Sequence, residues 1–200
     1  MSRPATLLLL GCTGAGKTPL GELLERDGLG GTRCVHLDFG ARLRSIVCGD
    51  RRVEGVDAAL VRGILEAGRL LEDDEFVIAE RIIDGFLAEA GVGADDLLLL
   101  NGLPRHVSQA DDVDRVLRVV RVIYLRCDAH TVYERIRLNT GGDRTGRSDD
   151  SEKDIARKLA IFADRTMPLL DHYRAKGVDV VEIDVGIETT TEQVVRRLVQ

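Results

Sequence analysis

Residues 11–18 read GCTGAGKT, a fit to the pattern G-x-x-x-x-G-K-[ST], and they stand between an apolar run, TLLLL, and a helical stretch, LGELLERDG. Spacing of this kind handles phosphates. Gly11, Gly14 and Gly16, with Ala15 between them, let backbone N–H groups converge on phosphate oxygens, while the following helix aims the positive end of its dipole at the same anion. Lys17 then reaches the outer phosphates, and the Thr18 hydroxyl is a ligand for magnesium. Pro19 is tolerated because the first helical turn has no partner for its missing N–H.

Short apolar runs alternate with segments of helical period along the chain. The alternation predicts an α/β, three-layer P-loop fold: a five-stranded parallel sheet covered on both faces. Strands are expected near 5–10, 33–37, 97–101, 120–126 and 179–183, each apolar nearly throughout. Helices are expected at 73–90, 106–118, 128–138, 152–175 and 189–199, with shorter ones at 40–48 and 57–67. With 200 residues, 44% of them hydrophobic, one domain over 1–200 suffices. The charged loop NTGGDRTGRSDD (139–150) interrupts a helical region and reads as a flap made mobile by Gly141, Gly142 and Gly146.

A net charge of −6 argues against nucleic acid and acidic membrane surfaces as partners. No apolar run is long enough to span a bilayer, and TLLLLGC is too short for a secretion signal. Cys12, Cys34, Cys48 and Cys127 lie far apart without metal or disulfide spacing, which fits reduced thiols in a cytoplasmic protein. His36, His106, His130 and His172 show no ligand spacing and are expected to be structural or exposed.

Six segments in order resemble the adenylate kinase branch of the nucleoside monophosphate kinases: GCTGAGKT, LDFGARLR (37–44), GRLLEDDEFV (68–77), LLLLNGLPRHVSQ (97–109), TGRSDDSEKDIARKLAIF (145–162) and TMPLLDHY (166–173). The resemblance covers nearly the full length. It implies a helical acceptor-binding arm at about 38–68, a short lid at about 139–150, and a monomer whose partners are nucleotide substrates. The implied reaction moves the γ-phosphoryl group of ATP, with Mg2+ as cofactor, to a nucleoside monophosphate such as AMP. Carried over by motif, Arg44 and Arg105 hold the acceptor phosphate and Gln109 reads the acceptor base. Arg147 closes over the transferring group, Asp149 and Asp150 orient the lid, and Lys17, Arg105, Arg147 and Lys158 make up the catalytic set.

The match also breaks at particular residues. Asn101 stands where the family carries an aspartate that supports the metal ion through water. An amide brings no charge, and a unit charge about 4 Å from another is worth about 4 kcal/mol at an effective dielectric near 20. Weaker metal binding is therefore expected, and where loss of metal support limits the rate Asn101→Asp is expected to raise activity. Asp38, just beyond the second strand, is a candidate for metal or substrate. Phe39 and Ala41 replace a small hydroxyl and an aspartate in the arm, which puts AMP specificity in question.

In the lid, one family arginine falls on Asn139, with Arg137 and Arg144 as substitutes. Another falls on Lys158, which sits about −60° around the helix from Ile155 and so faces the cleft, whereas Arg157 sits about 200° away. Two other readings remain open: a P-loop kinase for a different small acceptor, and a nucleotide binder without chemistry.

Overall fold

The computed structural model describes residues 3–145 and 150–199 of the chain. β1 (Ala5–Gly11), β2 (Cys34–Asp38), β3 (Leu97–Asn101), β4 (Arg118–Arg126) and β5 (Asp179–Asp184) form one sheet in the order β2-β3-β1-β4-β5. Every pairing is parallel. β1 therefore lies in the middle, and its carboxyl end opens beside the place where the winding reverses, where such sheets bind ligands. Leu8, Leu98, Leu99 and Leu100 are fully buried. Each side chain contributes about 1.5–3 kcal/mol by leaving water, which fixes the central strands as the platform for their tips.

The helices are α1 (Lys17–Asp27), α2 (Phe39–Cys48), α3 (Ala58–Ala67), α4 (Phe76–Ala90), α5 (Val107–Val116), α6 (Ala129–Leu138), α7 (Glu152–Ile161), α8 (Pro168–Ala175) and α9 (Thr191–Leu198). α1 packs on α9, and α5 packs on α4 and α8, so that two helical layers flank the sheet. The segment after β2 is an α2–α3 pair whose first turns are fixed by aspartates: Asp38 Oδ1 accepts from Ala41 N at 2.8 Å and Asp57 Oδ1 from Ala59 N at 2.8 Å. No helix among the described residues is long and apolar enough to cross a membrane.

Four expectations need correction. The helix expected over 152–175 is broken between α7 and α8 by a π turn, Phe162–Thr166, closed by Met167 N donating to Phe162 O at 2.9 Å. Pro168 has no N–H to continue the α ladder, so the chain widens just before it. The helix expected to reach 118 stops at Val116, because Leu117 is extended and Arg118 N donates to Pro4 O at 3.1 Å, which starts β4 two residues early.

α4 begins at Phe76, with a 3-10 turn at Asp73–Glu75 in front of it, held by a reciprocal cap between Glu72 and Glu75. Finally, β5 is an edge strand and not a doubly buried one. Its exposed Asp179 and Asp184 pair across the ladder with Arg121 at 2.7 Å and Arg126 at 2.8 Å, charges that blunt the open edge.

Candidate active site

The turn between β1 and α1 gets its shape from backbone that only glycine adopts without strain. Gly14 has φ 76° and Gly16, the residue before the helix, φ 99°. A Cβ on Gly14 would also lie 2.9 Å from Ile136 Cγ1, so α6 closes the back of the turn. Lys17 folds over it, its ammonium donating to Gly11 O at 2.7 Å and Cys12 O at 2.8 Å. Burial pushes its pKa down to about 8, and Arg105 and Arg144 push in the same direction. A group in that state gains charge stabilisation when an anion arrives.

Thr18, one residue on, meets the tips of two strands. Its hydroxyl donates to Asp38 Oδ2 at 2.6 Å, while Asn101 Nδ2 donates to Asp38 Oδ2 at 3.0 Å and to Thr18 Oγ1 at 3.1 Å. Asp38 and Asn101 are register partners across β2 and β3. Burial alone would raise the Asp38 pKa, but the bonds from Thr18 and Ala41 N, with the nearby charges of His36 and Arg44, hold it below the ordinary carboxylate value. The carboxylate missing at position 101 is thus present 3.0 Å away, on the next strand. This reverses the expectation for Asn101→Asp, which would set two carboxylates face to face instead of filling a vacancy in charge.

A cavity of about 260 Å³ runs from this corner between the arm and α7, lined on the donor side by Gly14, Gly16, Lys17 and Thr18 and on the far side by Arg44, Arg105, Arg144 and Lys158. Its apolar wall includes Phe39, Leu43, Ile64, Leu70, Leu71 and Leu103. Arg105 is fixed through its backbone, with N donating to Gln109 Oε1 at 2.8 Å and O accepting from Thr166 Oγ1 at 2.8 Å. The π turn that places Thr166 therefore helps to place Arg105. Of the two substitutes for the arginine expected at 139, Arg144 is the one that lines the cavity: its guanidinium donates to Thr13 Oγ1 at 3.2 Å and pairs with Asp150 at 3.1 Å. Arg137 turns away to Glu134 at 2.7 Å. Asn139 ends α6 at φ 49°, and its Oδ1 accepts from Arg144 N at 3.0 Å, so the residue in the arginine's place aims the substitute. Gly146, Arg147 and Asp149 lie outside the described residues.

Gln109 is brought to the cavity but its amide is occupied at both ends. It is fully buried; Nε2 donates to Leu71 O at 2.8 Å while Oε1 takes the Arg105 N–H. His106, with Nε2 3.1 Å from Leu71 O, shares that carbonyl, which is the structural role expected for it.

Lys158 stands at the cleft edge as expected, 3.6 Å from Asp150. Arg157 is not turned away, because its length carries the guanidinium to Ala67 O at 3.1 Å, at the negative end of α3, and over Gly68.

Sequence reading missed Arg135. It is 5% exposed and donates to Gly14 O at 3.0 Å and, through Nη1, to Gly186 O, Ile187 O and Thr189 O at 2.8, 3.2 and 3.0 Å. It ties the cradle to the loop after β5. The signal was there: Arg135 lies four and three residues after Thr131 and Val132, on the buried face of α6.

Comparison with known proteins gives the family. A family model described as an AAA domain matches residues 7–157. The chain is 33% identical over 195 residues to an adenylate kinase of Synechococcus sp. (strain CC9311), covering 94% of this chain and 95% of that one. An adenylate kinase of Parvibaculum lavamentivorans is 32% identical over 185 residues, 86% of this chain and 80% of its own. A solved gluconokinase structure from Sinorhizobium meliloti 1021 superposes with a TM-score of 0.55 at 17% identity, over 100% of this chain and 91% of that one, which speaks to the fold alone. With the intact phosphate cradle, these matches make the chain a diverged member of the adenylate kinase family, a phosphotransferase on the P-loop kinase fold.

Proposed function

We propose that the enzyme transfers the γ-phosphoryl group of ATP to a nucleoside monophosphate, with AMP as the first acceptor to test. The observation that carries this reading is the single cavity joining Lys17 and Thr18 to Arg44 and Arg105. A site for one nucleotide has no need of two arginines on the far side of the gap. A second phosphate has every need of them.

The mechanism follows from charge. In-line transfer spreads negative charge over the moving phosphoryl oxygens, and the acceptor phosphate is already a nucleophile, so no general base is required. Lys17 leaves its two carbonyls for the outer phosphates. Arg44 and Arg105 align the acceptor, and Arg144 with Lys158 and Arg147 neutralise the group in flight. The arm at about 38–68 and the lid at about 139–150 exclude water as they close. Thr18 and Asp38 offer the hard oxygen donors that magnesium prefers, within 2.6 Å of each other. When bound with ATP, the ion neutralises β- and γ-phosphate charge.

A second reading, a kinase for another small acceptor, is favoured by Gln109, whose amide is spent on backbone and is not free to read a base. A coupled ADP-release assay with a panel of monophosphates and sugar acids separates the two. Turnover with AMP at physiological concentrations supports the first, and turnover only with a non-nucleotide overturns it in favour of the second.

A further inference from the structure

We propose that the carboxylate supporting the metal ion in this enzyme is Asp38, at the tip of β2, and that Asp38 and Asn101 act as one unit in which charge and amide have exchanged strands. Three distances carry it. The Asp38 carboxylate stands 2.6 Å from the Thr18 hydroxyl and 3.0 Å from the Asn101 amide, and Asn101 Nδ2 is 3.1 Å from the same hydroxyl. The two tips are partners in the β2–β3 register, so their side chains leave the sheet side by side. Asn101 is 5% exposed and points its donor at that carboxylate. It can hold Asp38 in place but cannot itself carry charge.

The other carboxylate oxygen is fixed by Ala41 N at 2.8 Å, which sets the plane of the group. Contact with Thr18 places Asp38 beside the donor cradle, with the charge of Arg44 on its other side. The tips of β2 and β3 therefore present one carboxylate between them beside the cradle hydroxyl. That is the count it would have with an aspartate on β3 and a neutral residue on β2, and a second carboxylate would add repulsion at about 3 Å.

The test uses the whole protein with a non-hydrolysable ATP analogue, no acceptor, and Mn2+ as the metal probe, its free concentration read by electron paramagnetic resonance. The inference rests on ATP occupying the cradle but not on the acceptor's identity, so its failure leaves the acceptor reading standing. Asp38→Asn keeps a capping oxygen for α2. It is expected to weaken Mn2+ in the nucleotide complex about tenfold or more, with metal-free nucleotide affinity changed less than about threefold. Asp38→Ser, a second capping residue without charge, is expected to behave alike.

The exchange variant Asp38→Asn/Asn101→Asp is expected to recover Mn2+ affinity to within about threefold of the parent. Mn2+ affinity retained in both single variants would overturn the assignment, as would an exchange variant no tighter than Asp38→Asn. A purely structural role for Asp38 predicts lower melting temperatures and no change in metal affinity.

Discussion

The donor half of the cleft is shaped mainly by backbone, whereas the acceptor half is lined by long side chains. On the donor side Gly14 at φ 76° and Gly16 at φ 99° dictate where the N–H groups point, and α1 and the strand tips follow. On the acceptor side Arg44 and Arg105 line the cavity together with an apolar wall that includes Phe39, Leu43 and Ile64. Backbone stereochemistry tolerates few alternatives, so the donor half keeps its pattern. Side-chain walls can be repacked one residue at a time, and there Phe39, Ala41 and Gln109 depart from the family or do other work.

The largest effect should come from the donor half. Lys17→Met is expected to lower kcat/KM about 10³-fold or more, the scale of removing a preorganised positive group from a phosphoryl-transfer site. The coupled assay reads it directly. A loss below about tenfold would mean that the chemistry does not occur at the cradle, and the contrast between the halves would lose its basis.

Next in size is a pH effect that separates backbone from side chain within the same half. Free Lys17 titrates near 8, lowered from 10.5 chiefly by burial, and only its protonated form attracts phosphate. Affinity for metal-free ATP should therefore change little around pH 7. Above about pH 8 it should fall by up to about tenfold per unit, because binding must first take up one proton. Calorimetry in two buffers of different ionisation enthalpy counts that proton. In Lys17→Met the slope should vanish and leave only the weaker binding due to the backbone cradle.

Much of this was legible in the sequence, for reasons that vary by element. The five strands could be read because buried parallel strands are nearly pure apolar runs; β5 fooled that rule because an edge strand pairs its charges across the ladder, as Arg126 and Asp184 do. The π turn was not legible, since Phe162–Thr166 has ordinary helical residues and only Pro168 hints at a break. Lys17, Thr18 and Arg105 could be read because their spacing is local. The Asp38–Asn101–Thr18 triangle could not, because it depends on the register of two strands 63 residues apart. Gln109 illustrates the reverse limit: its motif position was clear, but the spending of its amide on Leu71 and Arg105 is a tertiary fact.

Gln109 offers the sharpest test of the acceptor half. Gln109→Leu removes the partner of the Arg105 N–H, and Leu71 O keeps only His106 at 3.1 Å. Stability should fall by about 1–3 kcal/mol, the cost of a buried polar group left unpaired. Chemical denaturation measures this, and the KM for AMP should rise less than about threefold. If stability holds while the KM for AMP rises steeply, the amide turns to the base on binding, and the acceptor half reads its substrate as the family resemblance implies.

The smallest effect is expected where the two halves are tied together. Arg157 bridges α7 and the arm by donating to Ala67 O at 3.1 Å while paired with Asp154 at 3.0 Å. The side chain is 41% exposed, and charge near a helix carboxyl end is worth under about 1 kcal/mol at such a site. Arg157→Ala should hardly shift the denaturation midpoint. Because the bridge touches the arm and not the cradle, the variant should raise the KM of the acceptor a few-fold and leave that of ATP unchanged. Equal changes in both constants would mean that arm and cradle move as one body, so that the difference in their construction would carry no difference in function.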